Sequence, residues 1–272
     1  MTPRRIGLAF SRAKAEQRAA LIVYVCAGDP GLAETERLIP QLAAAGADVI
    51  EIGVPFSDPI ADGPVIEAAS VRALQGGTTP RRILGMVSRL RAAGLETPLV
   101  LMTYLNPLQR LGGLVTVAES GVDGLIVPDL PYEEAEPLRI EAEAAGLDRI
   151  GLAAPTTPPD RLGAIAANAT GFLYYVSVTG VTGARSALPA TLPAELRAAR
   201  AASKVPVAVG FGIESAVQAA ALAPHTDGII VGSALIKALQ GEEGFARGIA
   251  LVRDLKAALD RTPPSSTKAP PC

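Results

Sequence analysis

The chain alternates between two kinds of segment, and this alternation sets its fold class. Eight short apolar runs of strand-forming residues are each bounded by Gly, Pro or Asp. Uniformly apolar runs of this length are typical of strands buried on both faces of a parallel sheet. The runs are LIVYVC (21–26), DVIEIG (48–53), PLVLMTY (98–104), DGLIVPD (123–129), RIGLAA (149–154), GFLYYVS (171–177), VPVAVGFG (205–212) and DGIIVGS (227–233).

The stretches between these runs carry apolar residues at helical spacing. The phrase AAGAD (44–48) returns loosely as ESGVD (119–123) and AAGLD (144–148). Each phrase predicts a helix that ends at glycine and leads into a strand. The residues predicted to share buried helix faces are Leu38, Leu42 and Ala45; Ile83, Val87 and Leu90; and Leu138, Ala142 and Ala145.

A strand followed by a helix, repeated eight times, predicts a closed (β/α)8 TIM barrel in the α/β class. An open doubly wound sheet is disfavoured because no GxGxxG motif follows the first strand. We expect an extra N-terminal helix over 5–18 and a short extra helix after strand 8. Residues 1–260 are predicted to form a single barrel domain, and the proline-rich tail 261–272 is predicted to be disordered.

Composition excludes several kinds of partner. The net charge is −2, aromatic residues make up 4 % and Trp is absent, which disfavours a nucleic-acid surface. No apolar run reaches the ~20 residues of a membrane span, and the start of the chain does not resemble a signal peptide. The two cysteines, Cys26 and Cys272, do not suggest a disulfide framework. We therefore predict a cytoplasmic protein.

Glu51 interrupts the second apolar run. Strand residues alternate between faces, so Glu51 shares a face with Val49 and Gly53, while Ile50 and Ile52 share the other. If the isoleucines face the helices, Glu51 points into the barrel near the rim where barrel enzymes act. Partial desolvation there raises a carboxyl pKa toward the range of acid/base catalysis. The alternative is a core glutamate paired with a Lys or Arg.

Other ionisable residues have competing interpretations. Asp62 either takes part in catalysis or caps the next helix, and Asp58, before Pro59, suits a turn. The one histidine, His225, precedes strand 8 at the end of the barrel that serves stability, so a histidine mechanism is disfavoured. Because no His or Cys cluster is present, no metal site is expected.

Glycine-rich turns follow the last three strands. Barrel enzymes often bind phosphate at the loops after strands 7 and 8, where a short helix offers its backbone N–H groups. SALIKAL (233–239) suits that helix, and glycines at 183, 210, 212 and 232 allow close approach of the backbone. The pattern predicts a phosphorylated ligand, although ordinary turn glycines are the alternative.

Together these residues resemble the tryptophan synthase alpha subunit family over about residues 5–258. The stretch VIEIGVPFSDPIADGP (49–64) is similar to the family signature through its Glu, Gly, aromatic residue, S-D-P and A-D-G. The matching segments GDPG (28–31), GVTG (180–183), GFGI (210–213) and GSA (232–234) have the expected order and spacing.

The resemblance implies a lyase of tryptophan biosynthesis that cleaves indole-3-glycerol phosphate by a retro-aldol reaction. Indole and glyceraldehyde 3-phosphate are the implied products. Glu51 is implied as the general acid/base that protonates C3 of the indole and handles the side-chain hydroxyl proton. Asp62 is implied as the carboxylate that binds the indole N–H and stabilises positive charge.

The resemblance also implies the groups that hold the substrate. The indole is expected among Tyr24, Met102, Tyr104, Val127 and Phe211, with Tyr174 at the family's aromatic position on strand 6. The phosphate is expected on the backbone N–H groups of Gly183, Gly212, Gly232 and Ser233. Three residues depart from the family pattern. Tyr24 stands where members often have Phe, Cys26 stands where Thr is common, and Val178 stands where some members have Arg.

The family works as an α2β2 tetramer, so the resemblance implies a tryptophan synthase beta subunit that takes the indole. Pyridoxal phosphate is expected only in that partner, and this chain is expected to hold no cofactor. The loops that carry Asp62 and Thr182 are expected to close over substrate, with Thr182 contacting Asp62. No nucleic-acid or membrane partner is expected.

Two other functions stay open. A sugar-phosphate isomerase or another aldolase would keep the barrel and the phosphate site. A Schiff-base aldolase needs a lysine at a strand end, and the lysines, at positions 14, 204, 237, 256 and 268, lie elsewhere. A catalytically weak chain that acts mainly as an allosteric partner is the other alternative, and the presence of both Glu51 and Asp62 argues against it.

Overall fold

Parallel strands form a single curved sheet in the computed structural model, which describes residues 4–177, 189–210 and 212–263. The strands are β1 (Ala20–Cys26), β2 (Val49–Gly53), β3 (Leu99–Met102), β4 (Gly124–Ile126), β5 (Asp148–Arg149), β6 (Gly151–Ala153), β7 (Leu173–Val176), β8 (Val207–Gly210) and β9 (Gly228–Val231). Their order in the sheet is β5-β4-β3-β2-β1-β9-β8-β7-β6. The two outer strands, β5 and β6, are separated in the chain only by Ile150, so the ring closes and the (β/α)8 barrel is confirmed.

Helices surround this ring and follow the predicted alternation. They are α1 (Arg5–Ala15), α2 (Leu32–Ala44), α3 (Pro64–Gln75), α4 (Pro80–Ala92), α5 (Leu105–Gln109), α6 (Leu114–Glu119), α7 (Glu136–Ala145), α8 (Pro159–Asn168), α9 (Leu192–Ala202), α10 (Ala216–Leu222), α11 (Ser233–Ala238) and α12 (Gly244–Asp260). Two 3₁₀ turns cover Tyr132–Glu134 and Ala223–His225. Within the described ranges, no helix has the length and apolarity to cross a membrane.

The extra N-terminal helix is present but ends at Ala15, earlier than the predicted residue 18. The chain turns at Gln17, whose φ is +56°, and this turn carries Arg18 under the barrel. The short helix predicted after strand 8 is α11, and α12 follows it. The predicted tail begins where α12 ends, and its residues 264–272 lie outside the described part of the chain.

Two apolar layers lie on opposite faces of the sheet. The inner layer contains Val49, Ile126 and Phe172, and it is closed from below by α1, whose Phe10 ring lies 5.5 Å from that of Phe172. The outer layer packs alternate strand residues, such as Ile50, against the helices. Burial on both faces explains why the strands are apolar throughout.

The recurring Gly-x-Asp phrase has a structural role at the base of the barrel. Its glycines end helices in the left-handed region, with φ of +111° at Gly46 and +77° at Gly146, as predicted. The aspartates stand at the starts of strands, where Asp48 and Asp123 accept backbone hydrogen bonds from a neighbouring strand and Asp148 pairs with Arg4. Asp48 accepts from the Leu21 N–H at 2.8 Å.

Arg18 is the cation that balances Asp48, and we expect its removal to destabilise the fold. Its guanidinium donates to both Asp48 oxygens at 2.6 and 2.8 Å, and only 2 % of the side chain is exposed. Truncation leaves a buried carboxylate without its partner, so Arg18→Ala should lower the free energy of unfolding by ~3–5 kcal/mol. Urea denaturation measures this change. The exposed Arg37→Ala is the control, and an equal loss in both variants would contradict the expectation.

Candidate active site at the barrel mouth

Glu51 lies in the middle of β2 and points into the barrel, as predicted. Its strand neighbours Ile50 and Ile52 belong to the outer layer, whereas Val49 belongs to the inner one. Glu51 is 1 % exposed, and among the described residues its Oε1 has no hydrogen-bond partner. No Lys or Arg within the described residues forms an ion pair with it, so this part of the chain gives no support to the interpretation as a paired core glutamate.

Burial alone raises the pKa of Glu51 to about 8. The carboxyl therefore keeps its proton at neutral pH, where an ordinary glutamate is ionised. A protonated, buried carboxyl at the rim of a barrel is suited to donating a proton to a bound substrate.

Two tyrosine rings, from β1 and β7, lie against glycines at the ends of strands β2 and β8. Tyr24 is aligned with Glu51 across the β1–β2 pair, and a Cβ on Gly53 would lie 2.0 Å from the Tyr24 Oη. A Cβ on Gly210 would lie 2.4 Å from the Tyr174 Oη. Only glycine permits these approaches. Both phenols therefore lie at the mouth, close enough for the Glu51 charge to act on their pKa values.

The two phenols remain protonated. Burial, and then the nearby Cys26, Asp62 and Glu51, hold the pKa of Tyr24 well above its ordinary value. Burial has the same effect on Tyr174. The mouth is consequently lined by hydroxyl groups that donate hydrogen bonds rather than by phenolates.

Asp62 lies in the loop between β2 and α3 and does not cap that helix. The residue at the N-cap position is Gly63, and no side chain accepts a hydrogen bond there. Tyr104, which follows β3, instead fixes the loop: its Oη accepts the Ala61 N–H at 3.0 Å and donates to the Asp62 carboxylate. The N-cap interpretation of Asp62 is therefore wrong.

Burial raises the pKa of Asp62 to about 6, and the hydrogen bond from Tyr104 opposes the rise. Asp62 is therefore mostly ionised at neutral pH while Glu51 is mostly protonated. Two carboxyls whose environments separate their protonation states in this way are typical of acid and charge-stabilising roles at one site.

Removal of the Tyr104 hydroxyl should shift the acid side of the pH–rate profile. In Tyr104→Phe the hydrogen bond that lowers the Asp62 pKa is lost, so that pKa rises and the acid limb of kcat/KM moves to higher pH. The loss at pH 8 should be under about tenfold. Tyr175→Phe is the matched control because Tyr175 bonds Glu195 at 3.0 Å, outside the mouth. An unshifted limb in Tyr104→Phe would contradict the assignment.

The structure brings Met102 but not Val127 to the barrel interior. Met102 packs against the inner layer, and it is aligned with Gly53 of β2. Val127 packs against the outer layer, toward the helices. On β4 the residue that faces inward is Ile126, so the residue facing the mouth is displaced by one position from the expectation.

Some residues expected to bind phosphate lie in suitable backbone positions. α11 begins at Ser233, and its N-cap residue, Gly232, supplies no side-chain hydrogen bond to the first helical amides. Gly212 has a φ of +78°, a conformation that favours glycine. Thr182, Gly183 and Phe211 lie outside the described residues, as does Val178.

Sequence reasoning missed an ion pair that joins the site's helices. Asp29, in the loop after β1, accepts two hydrogen bonds of 2.8 Å from Arg72 of α3 and one of 3.3 Å from Gln240. Gln240 follows α11. This network ties the helix after Asp62 to the helix that begins at Ser233. The Asp in GDPG was a visible signal, although its partners are 43 and 211 residues distant.

The described residues contain no group of three or more His, Cys, Asp or Glu side chains that could hold a metal ion. His225 lies in the 3₁₀ turn before β9, at the start of that strand and away from the mouth.

Comparison with known sequences gives the family. The sequence profile described as "Tryptophan synthase alpha chain" matches residues 10–260. This chain belongs to the tryptophan synthase alpha chain family. Curated alpha chains are similar throughout: that of Synechococcus sp. (strain CC9902) is 50 % identical over 236 residues, covering 85 % of this chain and 87 % of that one. That of Carboxydothermus hydrogenoformans is 48 % identical over 239 residues, covering 87 % and 89 %.

Solved structures of the family have the same fold. A structure of Mycobacterium tuberculosis tryptophan synthase superposes with a TM-score of 0.86 at 41 % identity, covering 94 % of this chain and 98 % of that one. The alpha subunit from Legionella pneumophila gives 0.87 at 38 % identity, covering 96 % and 100 %. Membership of the tryptophan synthase alpha chain family makes the chain a lyase-type enzyme of tryptophan biosynthesis and implies a beta subunit as its partner.

Proposed function

We propose that this chain cleaves indole-3-glycerol phosphate into indole and glyceraldehyde 3-phosphate. The observation that carries the proposal is Glu51, a buried carboxyl at the barrel mouth with no countercharge among the described residues and a pKa of about 8. Protonation of a ring carbon needs an acid that still holds its proton at neutral pH. Burial supplies that property here.

Two carboxyls can account for the proton transfers and the charge stabilisation that this reaction needs. Glu51 gives its proton to C3 of the indole ring, and the positive charge that develops spreads to the ring nitrogen. Ionised Asp62 accepts a hydrogen bond from the ring N–H and stabilises that charge. The carbon–carbon bond then breaks as the side-chain hydroxyl returns a proton to Glu51 and becomes the aldehyde. No water is consumed, and Glu51 ends in its starting state.

The other proposed contacts hold the indole ring and the phosphate of the substrate at the barrel mouth. The indole ring is proposed to lie among Tyr24, Met102, Tyr104 and Tyr174, with Ile126 replacing Val127 as the apolar neighbour from β4. The phosphate is proposed to rest on backbone N–H groups of Gly183, Gly212, Gly232 and Ser233. Support comes from the uncapped start of α11 and the positive φ of Gly212.

The proposal extends to the assembly. Two copies of this chain are proposed to join two beta subunits, which take the indole and carry the pyridoxal phosphate. The loop of Asp62 is proposed to close with Thr182 over the substrate. No covalent cofactor is proposed for this chain.

A steady-state assay tests the reaction. Purified chain is incubated with indole-3-glycerol phosphate, with and without beta subunit, and both products are measured. We expect one indole and one glyceraldehyde 3-phosphate per substrate consumed, at a higher rate with the partner present. Loss of substrate without indole, or no turnover in either mixture, would refute the proposal.

The pH dependence follows from the two carboxyls. Glu51 must be protonated, so activity should fall as pH rises through about 8. Asp62 must be ionised, so activity should fall as pH drops through about 6. The profile of kcat/KM should therefore be bell-shaped with its maximum between these values. A flat profile across this range would argue against the paired roles.

A further inference from the structure

A cavity lies between the ends of β4 to β6 and helices α7 and α8. Its volume is about 150 Å³, well above the ~10–15 Å³ that one water needs. Its wall is mixed, and the apolar side chains in it include Val127, Leu130, Ala135, Leu138 and Ile165. Val127, Leu138 and Ile165 in this wall pack against the outer layer, whereas Ile150 and Leu152 pack in the inner one, so the cavity is lined mainly from the helix side.

The polar side chains of the wall can all donate hydrogen bonds. Two arginines, Arg149 and Arg161, line the cavity, and no Asp or Glu does. Tyr132 Oη accepts from the Asn168 Nδ2 at 3.0 Å, which leaves its own proton to donate. Thr157 Oγ1 likewise accepts from the Ala154 N–H at 2.9 Å. A wall of this kind is complementary to a negatively charged ligand.

The two arginines differ in their partners. Arg161 pairs with Glu133 at 2.8 and 3.0 Å. Arg149 forms no ion pair within the described residues: its Nη2 donates to the Asn168 carbonyl at 2.9 Å, and its Nε is buried without an acceptor. Buried charges in proteins are normally paired. Arg149 is therefore a partly buried cation with no ion-pair partner among the described residues.

We propose that this cavity binds a small organic monoanion, a short-chain carboxylate whose apolar body contacts the aliphatic wall and whose carboxylate pairs with Arg149. Inorganic phosphate could pair with Arg149 but has no apolar body to contact the aliphatic side chains, so we expect it to bind more weakly. Burial, and then the nearby Arg139, lower the pKa of Arg149, and the opposing effects of Tyr132 and Glu136 do not restore it. The bound acid would brace the loop after β4, where Asp129 accepts the Leu105 N–H at 2.9 Å.

Thermal unfolding of the full chain with sodium isobutyrate tests the proposal. The titration is made at constant ionic strength, with sodium chloride replaced by isobutyrate, in a buffer free of other carboxylates. Binding to the native state raises Tm in proportion to ln(1 + [L]/Kd), so we expect a rise that follows this logarithmic curve. Arg149→Met should abolish the rise, whereas Arg89→Met, an exposed arginine on α4, should retain it.

A second variant keeps the test decisive if Arg149→Met fails to fold. Ala135→Leu fills the cavity without changing charge and should also abolish the rise. A parallel titration with inorganic phosphate should give a smaller Arg149-dependent response than isobutyrate. No rise with the unmodified chain, or an equal rise in all variants, would overturn the proposal, because the effect would then be absent or a general effect of the salt.

Discussion

Glu51→Gln should reduce cleavage of indole-3-glycerol phosphate by at least about a hundredfold while leaving the barrel folded. Glutamine has nearly the same size as the protonated glutamate that the buried site holds at neutral pH. It has no acidic proton to give, and general acid catalysis typically contributes 10²–10⁴-fold. The loss should appear in kcat, measured as indole released under saturating substrate.

The stability of this variant provides an independent check. Below about pH 4.5 Glu51 is protonated in both the folded and the unfolded state. Between that value and about 8 the unfolded chain loses the proton and the folded chain keeps it, so the unmodified protein becomes less stable as pH rises. Glu51→Gln lacks this decline. Its Tm relative to the unmodified chain should therefore increase from pH 5 to pH 8.

Glu119→Gln at the end of α6 is the matched control, since that residue is exposed and outside the barrel mouth. It should leave both kcat and the pH dependence of Tm unchanged. Full activity in Glu51→Gln would remove Glu51 from the mechanism. A Tm difference that is independent of pH would instead mean that its pKa is not raised.

The contrast between β2 and β4 shows what the sequence can predict about this site. A strand buried on both faces is apolar at every position, so its pattern does not reveal which residues face inward. In β2 the carboxyl of Glu51 breaks that uniformity, and the predicted faces are confirmed. In β4 no polar residue breaks the apolar pattern. Val127, which follows this strand, was expected to face inward, but Ile126 faces inward instead.

Contacts between residues far apart in the sequence are the second feature that the sequence does not predict. The Gly-x-Asp phrases correctly predicted helix ends, since a left-handed glycine is a local property. Their ionic role was not visible, because Arg18 and Asp48 are separated by 30 residues and Arg91 and Asp123 by 32. The hydrogen bond that joins Tyr104 to the loop of Asp62 likewise crosses 43 residues. Local pattern thus singles out Glu51 as a candidate, while the contacts that adjust the pKa values of Glu51 and Asp62 require the fold.

Asp62→Asn should lower kcat by about 10²–10³-fold, the usual cost of removing one group that stabilises transition-state charge. The amide keeps the size of the side chain and removes the negative charge that is proposed to face the indole nitrogen. The acid limb of the pH–rate profile, attributed to ionisation of Asp62 near pH 6, should disappear as well. Measurement of kcat from pH 5 to pH 9 covers both effects.

Stability separates this catalytic role from a structural one. Because burial raises the Asp62 pKa from 3.8 to about 6, the unfolded chain loses this proton at lower pH than the folded chain. Stability therefore falls as pH rises between these two values, and the whole cost is present at pH 7. Asp62→Asn removes that cost, and Gly63, not Asp62, occupies the N-cap position of α3. The Tm at pH 7 should therefore stay the same or rise, as it should in the exposed control Asp160→Asn. A large fall in Tm that accounts for the lost activity would make Asp62 a structural residue and leave Glu51 without its charged partner at the mouth.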